Sequence, residues 1–292
     1  MKINSSPASV GLCILIVCIA SFSACKKETS QSAQAEATTF ANVSAESAIS
    51  TDALSNDIFN TVMGLNNDVA SGGVFNRVGS PDSSRSQCST IQFLPLDSLN
   101  LFPVKTVIDF KNGCTDNNGV TRKGKIITVY SGRLKLPGNT AETTFENFYI
   151  NNVQVEGIYR LENMSTSELP VFDLSVRNGK TKSFNGNYIM WNSKYTVTQT
   201  HGLGTPSWYQ DDIFNMRGEA NGAVKTDSIY LVWNSKILEP LIKSVNCKWM
   251  GSGKVGVGKS STDAAIIDYG NGICDNIATL IINGATREIT LH

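Results

Sequence analysis

The chain has 292 residues, and its 25 basic and 25 acidic residues give a formal net charge of zero. Only 17% of its residues are charged, which argues against nucleic acid as a partner because phosphate binding needs a basic face. The length allows one large domain or two small ones. The abundance of Ser, Thr, Asn and Gly favours strands and turns over helices.

The first 24 residues have the pattern of a lipoprotein signal peptide. Lys2 provides a positive start, and residues 10–20 form an apolar run too short to span roughly 30 Å of hydrocarbon. The run ends in Ser-Phe-Ser-Ala-Cys, which resembles the lipobox of bacterial lipoproteins, although Phe22 replaces the usual leucine. A plain secretory signal cut nearby is the alternative. The lipobox predicts that Cys25 becomes the first residue and carries acyl chains, which anchor a protein stably.

Residues 25–44 predict a flexible, solvated tether because polar residues and alanines follow one another without apolar periodicity. The Cys-Lys-Lys-Glu start at Cys25 is similar to lipoproteins of the Bacteroidota, in which such charges accompany export to the cell surface. We therefore expect a lipid-anchored protein of the outer membrane. The sequence leaves open whether it faces the periplasm or the cell surface.

Residues 45–71 contain the only good helix pattern. Apolar side chains recur at intervals of three and four, namely at Leu54, Ile58, Val62, Leu65 and Val69. Two glycines then end the pattern at residues 72–73. We expect this helix to pack across one end of a sheet.

From Cys88 onward, short apolar runs alternate with turn residues, and residues 45–292 are predicted to form one domain. Gly124 marks a bulge, and residues 237–244 are interpreted as a connection. The predicted fold class is mainly β, a large antiparallel meander with the N-terminal helix packed against it. The sheet should be curved or barrel-like, because long free edges of a sheet promote aggregation. Tight turns are predicted at Asn-Asn or Asn-Gly pairs, at 151–152, 178–179, 185–186 and 283–284.

One unit of sequence occurs twice, within residues 88–133 and 247–292. Ile-Asp-Phe-Lys-Asn-Gly-Cys begins at Ile108 and is followed by Asn-Gly-Val-Thr-Arg. Ile-Asp-Tyr-Gly-Asn-Gly-Ile-Cys begins at Ile267 and is followed by Asn-Gly-Ala-Thr-Arg. Five residues are added before the second Asn-Gly turn, which predicts a longer hairpin arm there.

The cysteines outside the signal segment indicate disulfide bonds. Besides Cys25 there are four, and an even number in an exported chain suggests pairing. Cys88 precedes Cys114 by 26 residues, and Cys247 precedes Cys274 by 27, so matched spacing favours a bond within each unit. The alternative pairs the two ends of the chain. A four-cysteine zinc site is disfavoured because neither pair has the close spacing of such sites.

A shorter sequence repeat lies between the two units. Tyr-Ile-Met-Trp-Asn-Ser-Lys at 188–194 returns as Tyr-Leu-Val-Trp-Asn-Ser-Lys at 230–236. We interpret these segments as equivalent strands, with Trp191 and Trp233 in a shared core layer.

Residues 88–292 resemble a family of Bacteroidota-type outer-membrane lipoproteins. The resemblance rests on residues 108–129, on Thr-Phe-Glu-Asn-Phe-Tyr-Ile-Asn-Asn-Val-Gln-Val-Glu-Gly at 144–157, and on the closing copy of the repeat. It implies one coherent fold and an export address, and it implies no chemistry.

The grounds for catalysis or metal binding are weak. The chain has two histidines, His201 and His292, which rules out a histidine-rich metal site, and it lacks the Gly-x-Ser-x-Gly elbow. Asp109 and Asp268 are expected to accept amide hydrogen bonds from their own Asn-Gly turns. As a glycosidase pair they would need to lie within roughly 5–10 Å of each other. We expect no cofactor, no metal and no enzymatic activity.

The best candidate binding surface is the loop at residues 201–212. Glycine and proline punctuate it, which predicts exposure, and an exposed Trp and Tyr beside Asp suit stacking on sugars or packing on a protein. The alternative is that Trp208 packs back into the core. The candidate residues are His201, Trp208, Tyr209, Asp211 and Asp212.

The sequence therefore predicts a non-catalytic binding module for a glycan, an envelope component or a protein partner, held to the membrane through Cys25. The main alternative is a carrier that encloses a lipid or another apolar ligand in a curved sheet. A third hypothesis is a glycosidase-like hydrolase that uses Asp211 and Asp212 or the Asp109–Asp268 pair.

Overall fold

The computed structural model describes residues 22–64, 88–116, 119–166, 169–205, 209–259 and 263–291. The chain divides into two compact units, residues 1–39 and 40–292. All the strands belong to the second unit. Among the described residues, no helix is both long and apolar enough to cross a bilayer.

In the described part of the chain, one long helix, α1 (Phe22–Met63), precedes fourteen strands. The first strands are β1 (Thr90–Pro95), β2 (Val104–Asp109), β3 (Cys114–Thr115), β4 (Thr121–Tyr130), β5 (Thr140–Ile150), β6 (Val153–Asn163) and β7 (Val171–Lys182). The others are β8 (Tyr188–His201), β9 (Ile213–Lys225), β10 (Tyr230–Ser244), β11 (Ser252–Gly258), β12 (Asp263–Asn271), β13 (Ile277–Ile282) and β14 (Ala285–Thr290).

The strands form one open antiparallel sheet in which nearly every strand pairs with its neighbour in sequence. The order is β1-β2-β4-β5-β6-β7-β8-β9-β10-β11-β12-β13-β14, and the short β3 pairs with β4 beyond the end of β2. The predicted fold class, a large antiparallel meander with an N-terminal helix packed against it, is confirmed.

The helix begins earlier than expected. Residues 25–44, predicted as a flexible tether, are helical, while residues 65–71 of the predicted helix lie outside the described residues. The lack of apolar periodicity does not exclude a helix here, because Lys, Glu, Gln and Ala have high helix propensity without an apolar stripe. The expected exposure to solvent does hold for residues 31–37.

From Ala41 onward the helix is buried on nearly all sides, and only Glu46, Ser50 and Ala53 are exposed. Many of the buried side chains are small and polar. Most of their hydroxyl groups donate to carbonyls of the preceding turn, as Ser47 does to Val43 at 2.7 Å and Ser55 does to Thr51 at 2.7 Å, although the Ser44 hydroxyl has no such partner among the described residues. These bonds satisfy the hydroxyls inside the protein, so a polar segment can occupy the core.

This buried helix segment packs along the inner face of the sheet, and the prediction that it packs across one end is wrong. Phe59 contacts Phe172 on β7 and Phe214 on β9, with ring centroids 6.2 and 5.3 Å apart. The hydroxyl of Tyr130 on β4 donates to the carbonyl of Val62 at 3.0 Å. Strands distant in the sheet order thus contact one helix, which requires a strongly curved sheet.

Most predicted turns are confirmed. Asn151, Asn152 and Asn283 have the positive φ of tight hairpins, and 185–186 lies between β7 and β8. Gly124 forms the predicted bulge, with φ +83° and a register shift between β4 and β5. The turn predicted at 178–179 is wrong, because Asn178 lies in a bulge inside β7.

Residues 237–244, predicted as a connection, belong to β10. The segment contains Pro240, which lacks an amide donor, and register shifts surround this position on both sides of the strand. Bulges of this kind let a strand pass a proline, so the sequence pattern is irregular although the strand continues.

Both disulfide bonds join the predicted partners, Cys88 with Cys114 and Cys247 with Cys274. The shared tryptophan layer is also confirmed. Trp191 and Trp233 are each 1% exposed, and both lie opposite Gly222 in the register of β9. The absence of a side chain at Gly222 leaves room for the two indole rings, since a Cβ there would come within 2.8 Å of Trp233.

Candidate functional site

The predicted binding loop is only partly an exposed surface. His201 ends β8 and is exposed, and Asp211 is exposed while its carboxylate accepts a hydrogen bond from the Thr205 hydroxyl at 2.8 Å. Trp208 and the side chain of Tyr209 lie outside the described residues; the Tyr209 backbone starts a short 3₁₀ helix. The stacking function predicted for this loop therefore stays a prediction.

Asp212 does not belong to that surface, which corrects the sequence prediction. It is 8% exposed, and its carbonyl accepts the amide of Val245 at 3.0 Å. Its carboxylate also lies where a Cβ on Gly202 would be, 2.0 Å away. Asp212 thus contacts both Gly202 of the loop and Val245 just after β10. The sequence of the loop, in which Gly and Asp suggest exposure, does not reveal this burial.

The interior contains ionisable groups that sequence reasoning missed. Asp52 on the helix is fully buried and accepts a hydrogen bond from the Tyr195 hydroxyl at 2.6 Å. Burial raises the pKa of Asp52 to about 7, and the Tyr195 hydrogen bond opposes that rise. Burial also lowers the pKa of Lys243 to about 8, and this amine donates to the carbonyls of Ser244 and Cys247.

A second interior cluster is an ion-pair network. The guanidinium of Arg122 on β4 contacts Asp57 of the helix at 2.7 Å and Asp116 at 2.6 Å. Burial by itself would lower the pKa of Arg122, but the charge of Asp57 and the hydrogen bonds that Arg122 donates to Asp116 and Asp57 outweigh it and raise that pKa. The network joins the helix to the first cysteine unit.

These interior groups are placed to hold the helix, with little room for a ligand. The gap between Ile58 on the helix and Leu161 on β6 has no space for a water molecule. Over the described residues, no three His, Cys, Asp or Glu side chains are placed to share a metal ion. Asp109 and Asp268 accept the amides of Lys111 and Gly270 at 2.7 and 2.9 Å, as expected for turn-capping carboxylates.

The most distinctive surface is a row of tyrosine and lysine side chains on the outer face of the sheet. Each member lies directly opposite the next in the strand register, so all share one face. Arg122 and Val224, each adjacent to a member, are buried on the inner face. In spatial order this Tyr–Lys row consists of Lys123, Tyr149, Gln154, Lys182, Tyr188, Lys225 and Tyr230.

The row is positively charged and partly exposed, with Tyr149, Gln154 and Tyr188 half-buried. Its three lysines are exposed, and no carboxylate belongs to it. Tyr230 is 61% exposed because the pairing of β11 with β10 stops at Asn234. Cations lie over the other two rings, with Lys123 5.6 Å from the Tyr149 centroid and Lys180 6.0 Å from the Tyr188 centroid.

Further along the same strands, apolar and amide side chains extend this face. Met190 and Val232 lie on either side of Ala223 and are 38% and 55% exposed. The next position is occupied by asparagine on each of the three strands, at Asn192, Asn221 and Asn234. The face therefore combines flat aromatic rings, methyl groups and amides that both donate and accept hydrogen bonds.

No family model, curated protein or solved structure matches the chain. The arrangement of its own residues is therefore the basis for any functional assignment.

The sequence contained a signal for this face. The repeated segments at 188–194 and 230–236 suggested two equivalent strands. The prediction considered only the inward side of these strands, where the two tryptophans lie. Side chains alternate along a strand, so the same repeated segments must present a second set of equivalent residues outward. Lys123, Tyr149, Gln154 and Lys182 on β4 to β7 lie in line with these outward residues only because bulges shift the strand register. The sequence did not reveal these register shifts.

Proposed function

We propose that this chain is a lipid-anchored outer-membrane lipoprotein that binds glycans through the Tyr–Lys row without catalysing a reaction. The observation that carries the proposal is the alignment of three tyrosines on the outer face of the sheet, the exposed Tyr230 and the half-buried Tyr149 and Tyr188, beside a row of asparagines. Tyrosine rings stack on the apolar faces of sugar rings, and amides bond to sugar hydroxyls. The face lies at the opposite end of β8 from His201, roughly 40 Å away at ~3.3 Å per strand residue.

The test is a glycan array probed with the full-length protein in detergent. We expect wild type to bind β-linked glycans and the double variant Tyr188→Ala/Tyr230→Ala to lose that signal. Phe93→Ala is the matched control, because Phe93 is an exposed aromatic residue on β1, outside the row. Absence of glycan binding by wild type, or unchanged binding by the double variant, would contradict the proposal.

The lipid-carrier alternative has less support. A carrier needs an apolar space larger than its own side chains fill, whereas the helix occupies the inner face of the sheet and the gap beside Ile58 excludes water. Lipid extraction of the purified Cys25→Ser protein tests the difference. Recovery of stoichiometric lipid without the anchor cysteine would favour the carrier.

The hydrolase alternative also has less support, because Asp109 and Asp268 each accept an amide from their own turn and Asp212 is buried. Incubation of the bound glycan with wild-type protein and analysis of the products tests this directly. The expected result is an intact glycan.

The membrane anchor rests on the lipobox at Cys25. Metabolic labelling with a radioactive fatty acid should label the wild-type protein and leave Cys25→Ser unlabelled. Protease treatment of intact cells then decides which face of the outer membrane the protein occupies.

A further inference from the structure

In the Tyr–Lys row, lysine and tyrosine alternate regularly across four strands, and this spacing indicates a particular class of glycan. Across β7, β8, β9 and β10 the order is Lys182, Tyr188, Lys225, Tyr230, so cation and aromatic ring alternate from strand to strand. Neighbouring strands lie roughly 5 Å apart. The two tyrosines are therefore separated by roughly 10 Å, and so are the two lysines.

The repetition is a translation. Both β8 and β10 are antiparallel to β9, so they run in the same direction, and Tyr188 and Tyr230 face the same residue of β9. A linear polymer that crosses the strands meets the same pair of groups after each two strands. Sheet twist turns successive pairs by roughly 40–50°, so the polymer must be free to twist.

An extended chain of β-linked pyranoses advances per sugar by a length close to the strand spacing. One sugar then lies over each strand, with the sugars over Tyr188 and Tyr230 stacked on rings. The sugar between them lies over Lys225, and the sugar on the other side of Tyr188 lies over Lys182. An ammonium group favours a carboxylate at that position, because opposite charges attract most strongly within a few ångströms.

Resting on the proposed function, we infer that the ligand is an extended acidic glycan that carries a carboxylate on every second sugar and lies across β7 to β10. Four strands accommodate about four sugars, or two disaccharide repeats, at one sugar per strand spacing. The pattern continues on β4 and β5 as Lys123 and Tyr149, and Gln154 on β6 interrupts the alternation.

The experiment compares three oligosaccharides by titration calorimetry on the full-length protein. The probes are a hyaluronan octasaccharide, with a carboxylate on alternate sugars, a neutral chitin octasaccharide, and an octamer of β-linked mannuronic acid, with a carboxylate on every sugar. We expect hyaluronan to bind most tightly. Its affinity should fall between ~0.1 and ~1 M salt, as the Debye length shrinks from about 10 to about 3 Å.

Substitutions separate the two kinds of contact. Lys182→Gln and Lys225→Gln should each weaken hyaluronan binding by up to about fivefold, the range of an exposed charge pair, and leave chitin binding unchanged. Lys248→Gln is the matched control, because Lys248 also lies beside an aromatic ring, 4.2 Å from the Trp249 centroid, but outside the row. Tyr188→Ala should weaken binding of both probes by between about twofold and tenfold.

The outcomes distinguish the two proposals. If chitin binds as tightly as hyaluronan and the lysine variants lose no affinity, the row binds glycans but the acidic class is wrong. If the mannuronate octamer binds more tightly than hyaluronan, charge density decides the affinity and the alternating pattern is wrong. If no probe and no array glycan binds, the proposed function itself fails.

Discussion

The two cysteine units share a sequence pattern but build different strand arrangements. In the first unit, β2 and β3 lie end to end beside β4, so the chain reverses once between them and β4. In the second unit, β12, β13 and β14 lie side by side, so the chain reverses twice. The five added residues lengthen the arm before the Asn-Gly turn, from the two-residue β3 in the first unit to the six-residue β13 in the second, so the expected longer hairpin arm is confirmed. A short insertion thus places β13 between β12 and β14, whereas in the first unit β2 pairs directly with β4.

Equivalent arginines show how the same position acquires a different energetic role. Arg122 and Arg287 each follow an Asn-Gly turn by the same distance, and each contacts the helix, at Asp57 and Asn42 respectively. Arg122 is 3% exposed and pairs with two carboxylates, whereas Arg287 is exposed and bonds to a neutral amide. The two arginines differ in energetic role because one is buried and the other is exposed, and the local sequence does not encode this difference in burial.

The aromatic positions of the repeat differ in the same way. Phe110 of the first unit packs near Phe148, with ring centroids 5.8 Å apart. Tyr269 of the second unit is fully buried, and burial followed by the charge of Asp52 raises its pKa. The helix therefore accepts a hydrogen bond from the first unit at Asp57, whereas its buried Asp52 acts on Tyr269 of the second unit through charge.

The largest expected effect comes from breaking the ion pair of the first unit. Arg122→Met leaves Asp57 and Asp116 without their buried cation, and we expect a loss of about 3–5 kcal/mol in the free energy of unfolding. Arg287→Met should cost less than about 1 kcal/mol because the Arg287 side chain is exposed and its partner Asn42 is uncharged. Urea denaturation of the oxidised proteins measures both values. Equal losses would show that burial does not distinguish the units.

The second prediction concerns pH. The pKa of Asp52 is about 7 in the folded protein against 3.8 for the ordinary group, so between these values the folded state holds a proton that the unfolded state releases. Stability should therefore fall as pH rises from 4 to 7, by up to roughly 4 kcal/mol. Asp52→Asn cannot ionise and should lack this decline in denaturation series at each pH. A decline of the same size in Asp52→Asn would assign the effect to other groups.

The two disulfide bonds provide a comparison in which the units should behave alike. The bonds close loops of nearly equal length, with separations of 26 and 27 residues. Replacing either pair by alanine should cost roughly 3–4 kcal/mol in the chain-entropy model. Thermal and urea unfolding of the two double variants measures this. A cost confined to one unit would mean that native packing, not loop closure, sets the contribution.

The smallest effect is expected at the turn carboxylates. Asp109→Ala and Asp268→Ala each remove one hydrogen bond to a backbone amide and should cost about 1 kcal/mol. Asn at either position keeps an acceptor oxygen and should recover part of the loss. If Asp268→Ala costs distinctly more, its 3.8 Å contact with Lys254 contributes as well.

Several features were predictable because neighbouring residues encode them. The Asn-Asn and Asn-Gly turns follow from the ease with which Asn and Gly adopt positive φ, and the disulfide pairing followed from matched spacing within a repeat. The early start of the helix was also readable from Lys, Gln and Ala, once propensity is weighed without requiring an apolar stripe. The strand at 237–244 was missed because a bulge around Pro240 breaks the alternation.

The sequence by itself determined the strand-rich class, the turns, the cysteine partners and the inward direction of Trp191 and Trp233, because each depends on period-two alternation or on short-range spacing. Only the tertiary structure decided that a polar helix fills the inner face, that Asp212 is buried, and that seven strands align one tyrosine–lysine row. Register between strands distant in sequence is set by bulges and packing, so no local pattern contains it.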